Sequence, residues 1–279
     1  MSQYLVPTSV DEALRLLAEH GSHAAFLGGG TSWALRDSPQ VETLIDLRAL
    51  RLGVVERRDA LVCIGATTTL EEARRSPHVS GLAGGILERA IGLVRTPAWR
   101  NQSTIAGWLL QETMADPIAP TLLVLGAAVV LQRGPRRKPE RVPLEDRAQL
   151  EAPGLVLHVE IPDNHGWRFA LESLSVTATD SPIAAIAVGV SQRDGRVAGA
   201  RVASTGLGAH ARRHAAVESQ LQGAAWAAAS YASAQRTLVD EITPASDTRA
   251  SSAYRRHLAS VLLARALRRA AAASIRGEV

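Results

Sequence analysis

A single cysteine, Cys63, and two methionines are all the sulfur this sequence carries. One thiol can form no internal disulfide and cannot by itself hold an iron–sulfur cluster through thiolates. Lysine is nearly absent: Lys138 is the only one, and the rest of the 31 basic residues are arginine. They are set against 27 acidic residues along the whole chain, so the net charge of +4 and the pI near 9.9 reflect a diffuse excess. That distribution argues against a nucleic-acid-binding surface. The one basic cluster, Arg133 to Arg141, is interrupted by Gly134, Pro135 and Pro139 and has no interleaved aromatic residue, the pattern of a solvated hairpin loop. Long apolar runs are missing too. The longest, Ile118 to Leu131, is broken by Pro120 and Gly126, is too short to span a bilayer and reads as core, so no membrane insertion is expected. The opening residues show no basic segment followed by an apolar one, so no secretory signal is read and the expected compartment is the cytoplasm.

What is present is an ordinary globular composition, 46% apolar and 21% charged over 279 residues, enough for two or three domains. Two glycine-bearing segments stand out. The first, Phe26-Leu27-Gly28-Gly29-Gly30-Thr31-Ser32-Trp33, follows a short apolar run that reads as a strand. Three glycines remove every Cβ from the turn, so backbone N–H groups can approach a phosphate closely, and Thr31 and Ser32 add hydroxyl donors. The second, Arg95 to Gly107, ends in Thr104-Ile105-Ala106-Gly107 after a basic, Pro-containing approach. Either alone is common loop punctuation. Their order and spacing together read as a pyrophosphate clamp.

Along the chain, Thr8 and Ser9 cap a helix with Val10, Ala13, Leu14 and Leu17 on one face, ended by Gly21. Strands are read at Ala24 to Leu27, Thr43 to Leu47 and Ala60 to Ala66. Thr69 caps a short helix, and Leu82 to Val94 reads as one continuous helix. A strand over Gly154 to Ile161 stops at Pro162. Arg193-Asp194-Gly195 is a hairpin turn between strands Ile183 to Val190 and Val197 to Ala203. In the last helix Tyr254, Leu258, Val261 and Leu262 form the predicted buried face. Arg255 and Arg256 point away from it, and burial is expected to end near Leu262. His210 and His214 are four apart, but with no His-Glu-x-x-His pattern or further ligand they read as surface residues. Cys63 reads as a small core residue.

At this point the residues resemble a family: the FAD-binding medium subunits of the molybdenum hydroxylases, which include carbon monoxide dehydrogenase and xanthine dehydrogenase. The likeness runs through Tyr4-Leu5-Val6-Pro7, Gly28-Gly29-Gly30-Thr31, Ile64-Gly65-Ala66-Thr67-Thr68-Thr69-Leu70, Arg100-Asn101 with Thr104-Ile105-Ala106-Gly107, and Asp116-Pro117. In the C-terminal part, Asp247-x-Arg249-x-Ser251-x-x-Tyr254-Arg255 is similar to the family's signature. The resemblance implies an α+β architecture: a two-subdomain FAD-binding fold of the vanillyl-alcohol oxidase/MurB type, residues 1–52 and 53–165, followed by a smaller α+β domain over 166–279. It implies FAD on this chain, with the molybdenum cofactor on a large partner subunit and 2Fe–2S clusters on a small one, in a dimer of heterotrimers. The chain would pass electrons from those clusters to an external acceptor. The alternative is a flavin-free structural subunit of a similar assembly.

Carried onto this sequence, the family pattern implies that Leu27, Gly28, Gly29, Gly30, Thr31 and Ser32 hold the FAD pyrophosphate, with Thr104 and the Ala106 and Gly107 peptides completing the clamp. Trp33 and Trp108 are candidates to line the flavin. Asp116 either accepts from a ribitol or ribose hydroxyl or caps a helix before Pro117. Arg100 is read as pairing with an internal carboxylate. Ala106-Gly107-Trp108 stands where the family usually has Gly-Gly-Asn, a departure that bears on FAD affinity more than on the fold.

Overall fold

The computed structural model describes residues 3–31, 40–110, 115–225 and 228–272. Backbone packing gathers them into two compact units, each assembled from discontinuous segments. One takes the described parts of Met1–His78, Thr96–Gln111 and Ala127–Pro162; the other takes those of Val79–Arg95, Glu112–Gly126 and Asp163–Val279. Both mix helices and strands, in keeping with the α+β class.

The first unit begins with strand β1 (Gln3–Leu5) and the helix Val10–His20. Reciprocal bonds set the helix start: Ser9 Oγ accepts from the Glu12 N–H at 3.2 Å, and the Glu12 carboxylate accepts from the Thr8 N–H at 2.7 Å. Strands β2 (Ala24–Leu27) and β3 (Thr43–Asp46) follow, and the three strands form a parallel sheet in the order β1-β3-β2. β1 is an addition to the sequence reading, because three residues ahead of Pro7 are too few to show a period-2 pattern. Ala13 and Leu14 of the helix bury against Ala24, Ile45 and Leu47.

A second sheet in the same unit joins β4 (Val55–Arg58), β5 (Leu61–Gly65), β6 (Ala128–Gln132), β7 (Glu140–Pro143) and β8 (Leu155–Pro162), antiparallel in the order β4-β5-β8-β6-β7. Alternation puts Ile64, Val159 and Val129 in direct register on one fully buried face. Between β6 and β8 the register slips, with Val130 opposite His158 but Leu131 opposite Val156. Leu157 is the extra residue of this bulge, and its carbonyl accepts from the Ala66 N–H at 2.9 Å. The basic loop joining β6 to β7 is exposed, as read, and Asp11 accepts from the Arg136 N–H at 2.9 Å.

The second unit is built on β9 (Trp167–Leu174), β10 (Ala184–Arg193), β11 (Arg196–Thr205) and β12 (Arg212–Arg213), antiparallel in the order β12-β11-β10-β9. Asp194 and Gly195 both take positive φ (52° and 72°), the backbone that a tight two-residue hairpin needs. The helix Ile118–Leu125 ends at Gly126 (φ 71°), and Arg201 donates to the Val124 carbonyl at 3.0 Å, satisfying one of its last free acceptors. Among the described residues, no helix is long and apolar enough to cross a membrane.

Four readings are corrected here. The helix expected from Leu82 starts only at Ile86, because Ala83, Gly84 and Gly85 take positive φ and break the turn before it. In the last helix, Ser252–Ala272, Arg255 is 5% exposed while Tyr254 is 44% exposed, the reverse of the expected facing. Burial of that helix also continues to Ala270, past Leu262. His214 is in the core rather than on the surface: its Nε2 lies 2.7 Å from Ser204 Oγ and its Nδ1 3.3 Å from Glu241 Oε1. Burial pushes the His214 pKa down.

Candidate functional site

Parallel strands β2 and β3 end at the same edge of their sheet, where the Leu47 N–H donates to the Leu27 carbonyl at 3.0 Å. That carboxyl edge is where open parallel sheets receive ligands. Gly28 to Thr31 leave it directly. A Cβ on Gly28 would lie 2.7 Å from Thr104 Oγ1, and one on Gly29 would lie 1.6 Å from the carbonyl oxygen of Gln102. A side chain at Gly29 would force backbone to move, and one at Gly28 would force the Thr104 side chain to shift. Gly30 takes φ +74°, and Thr31 is buried with its Oγ1 3.0 Å from Ser103 Oγ, 72 residues later in the sequence. The two glycine-bearing segments are thus interlocked.

The second segment is held from its other side by residues 66–70. The Leu70 N–H donates to Ser103 O at 2.8 Å, the Ile105 N–H to Thr68 O at 2.9 Å, and the Ala106 N–H to Ala66 O at 3.3 Å. Thr104 caps the short helix Ile105–Leu109, its Oγ1 accepting from the Gly107 N–H at 3.4 Å. A Cβ on Gly107 would sit 2.9 Å from that same oxygen, so the Thr104 hydroxyl occupies the space between Gly28 and Gly107. Neither Ala106 nor Gly107 takes positive φ, so alanine at 106 is accommodated as ordinary helix without strain.

Just ahead of this segment, Arg100 Nε donates to Glu71 Oε2 at 2.8 Å, the internal pairing expected for this arginine. The two residues are 7% and 2% exposed. Glu71 also receives Arg74 at 2.6 Å and Arg75 at 3.0 Å. These guanidinium hydrogen bonds, Arg74's foremost, overcome the cost of burial and hold the Glu71 carboxyl down at a pKa of about 2.

Between the segments lies a cleft of about 90 Å³, lined by Gly28, Thr67, Thr104, Ala106 and Gly107 with Phe26 and Leu47 among the apolar walls. This is well below the roughly 300–1,000 Å³ of a complete cofactor pocket and suits a phosphate-sized portion of a larger ligand. Among the described residues, the backbone N–H groups of Gly28, Gly29, Gly30 and Thr31 donate to no protein acceptor. Four adjacent donors with no acceptor among the described residues, on a loop without Cβ atoms at its closest approaches, fit an anionic group such as the FAD pyrophosphate.

The other sequence candidates are placed as follows. Ser32 and Trp33 lie outside the described residues. Trp108 is interior, 7% exposed, and is not part of the cleft lining. Asp116 belongs to the other unit, where its Oδ1 accepts from the Ile118 and Ala119 N–H groups at 2.7 and 2.9 Å, the geometry of a helix cap. Thr67 and Ser103 were not singled out as site residues, although Thr67 lines the cleft and Ser103 bonds Thr31. The adjacent threonines 67 to 69 were the available signal, but nothing local distinguishes the one that faces the cleft from the one that caps a helix.

Residues 1–164 match the family model described as the FAD binding domain in molybdopterin dehydrogenase, and residues 170–270 match that of the CO dehydrogenase flavoprotein C-terminal domain. The chain is 28% identical to the carbon monoxide dehydrogenase medium chain of Hydrogenophaga pseudoflava, covering 95% of each protein. It is 29% identical to the 6-hydroxypseudooxynicotine dehydrogenase complex subunit alpha of Paenarthrobacter nicotinovorans, covering 96% of this chain and 93% of the relative. Its fold superposes on a chain of the Hydrogenophaga pseudoflava carbon monoxide dehydrogenase lacking the Mo-pyranopterin moiety with a TM-score of 0.91, at 29% identity and 97% coverage of both chains.

Proposed function

The chain belongs to the family of FAD-binding medium subunits of molybdenum hydroxylases, an oxidoreductase family, and on that premise we propose that it is the electron-transfer subunit of such an enzyme. In this reading it accepts electrons from 2Fe–2S clusters on a small partner subunit and passes them to an external acceptor. A large partner subunit carries the molybdenum cofactor, and the three chains form a dimer of heterotrimers in the cytoplasm. The subdomain division 1–52, 53–165 and 166–279 is part of the same proposal. FAD, when bound, supplies the redox chemistry, and the protein supplies position and electrostatics.

One observation supports the reading: among the described residues the N–H groups of Gly28 to Thr31 have no protein acceptor, on a loop where Gly29 packs too close to the Gln102 carbonyl to carry a side chain. We assign the pyrophosphate to Gly28, Gly29, Gly30 and Thr31 with Thr104, and the next contacts to Leu27, Ser32, Trp33, Gly107 and Thr67. The Ala106 N–H is already committed to Ala66, so Ala106 contributes a wall rather than a donor. Trp108, on the same short helix as Gly107, acts from the interior as packing. Asp116 acts as a helix cap.

The test is the visible spectrum of the purified chain co-expressed with its genomic neighbours, followed by release and identification of the nucleotide. One FAD per chain, reduced when the organic substrate is added to the complex and not when it is added to the chain alone, supports the electron-transfer role. An intact complex that stays flavin-free after FAD is supplied overturns it and makes the chain a structural subunit.

A further inference from the structure

The five-stranded sheet carries a second cluster of chemically active side chains, away from the cleft lining. In its register Cys63 of β5 stands directly opposite Glu160 of β8, and His158, two residues earlier on β8, shares their face. The other face of these strands is apolar, with Val62, Ile64, Val159 and Ile161 fully buried. Cys63 Sγ, a ring nitrogen of His158 and a carboxylate oxygen of Glu160 lie within 4.8 Å of one another. His158 Nε2 is 3.3 Å from Glu160 Oε1. The other carboxylate oxygen, Oε2, accepts from Arg141 Nε at 2.9 Å, which turns Oε1 towards the histidine.

Three donors of different hardness converging from two paired strands match a specific ion. A zinc ion sits about 2.3 Å from thiolate and about 2.0–2.2 Å from imidazole nitrogen or carboxylate oxygen, so tetrahedral donors stand roughly 3.3–3.7 Å apart. Side-chain rotation closes the remaining gap while the strand ladder holds the Cα atoms. One thiolate and one carboxylate balance the charge of a divalent cation. The thiolate and imidazole select a borderline-soft metal over magnesium or calcium. Arg141 is placed as the outer partner that orients a ligating carboxylate. We propose that Cys63, His158 and Glu160 form a Zn²⁺ site with water in the fourth position, pinning β5 to β8. The site is independent of the flavin reading.

The full-length, tag-free chain, stripped with a chelator and titrated with Zn²⁺ against a chromophoric competitor, tests this. One equivalent should bind and raise the melting temperature. His158→Gln and Glu160→Gln should each weaken binding at least tenfold, Cys63→Ser about a hundredfold, and none should alter flavin content. Because Cys63 is interior, its substitution is paired with a second readout. Co²⁺ added to the wild-type chain should give a thiolate-to-metal charge-transfer band in the difference spectrum, and its absence removes Cys63 from the site. Wild-type binding no tighter than that of a folded His158→Gln chain overturns the proposal.

Discussion

A Cβ on Gly29 would lie 1.6 Å from the Gln102 carbonyl oxygen and one on Gly206 would lie 2.2 Å from that of Ile183, so neither glycine can carry a methyl group as the backbone stands. Their surroundings serve opposite ends. Around Gly206 the arginine is paired internally: Arg255 Nη1 donates to the Ile183 carbonyl at 2.5 Å and the Gly206 carbonyl at 2.8 Å, and Nη2 pairs with Asp247 at 2.7 Å, while Nε has no partner among the described residues. Asp247 in turn accepts from the Arg249 and Ala250 N–H groups, and these bonds with Arg255 lower its pKa to about 2. Around Gly29 the loop N–H groups have no protein acceptor among the described residues. Both motifs look like family signatures in the sequence. One is a knot in which an arginine and an aspartate close on nearby backbone, and the other is the segment we propose as a cradle for a ligand; what separates them is that the first is held by an internal ion pair.

The strongest way to sharpen this contrast is Glu71→Gln, which removes the carboxylate behind the open site and leaves the buried Arg100 without its counter-charge. A loss of about 3–5 kcal/mol in denaturant unfolding is expected, with a parallel loss of flavin if this ion pair anchors residues 101–107. The wild-type pH profile reads the same group. Its folded pKa of about 2 lies below the ordinary 4.5, so its contribution is present above about pH 4.5 and fades as pH falls towards 2. The Glu71→Gln chain should lack that slope.

Arg255→Ala comes next, with an expected loss of about 2–4 kcal/mol from the charged hydrogen bonds it removes. Flavin content of the folded fraction should stay unchanged, and release of FAD by this variant would break the distinction between knot and cradle. Gly29→Ala should cost about 1–3 kcal/mol by overpacking against Gln102, and FAD affinity by equilibrium dialysis should fall at least tenfold. The smallest effect is expected for Ala106→Gly, about 0.5–1 kcal/mol of helix stability with flavin content unchanged, since residue 106 is helical and its N–H is already bonded.

The cradle was half legible before any coordinates. Three consecutive glycines with threonine, and a threonine three residues ahead of Gly107, announce backbone donors and small side chains. Ser103 and Thr67 were not legible, because their partners, Thr31 and the cleft, are distant in sequence. Trp108, a flavin-lining candidate, is buried and does not line the cleft. Strand β1 escaped notice for a related reason: its pairing with β3 is what makes it a strand.

Local chemistry alone specified where helices begin at Ser9 and Thr69, where the chain turns at Asp194-Gly195, and which loops lack side chains, because caps, positive φ and missing Cβ atoms depend on a few neighbouring residues. Tertiary structure decided that Arg255 and His214 are buried, that Gly29 meets Gln102, and that Cys63 faces His158 and Glu160. Those outcomes depend on strand register and on partners far along the chain, and a buried arginine becomes tolerable only once the carbonyls and carboxylate that receive it have been brought together.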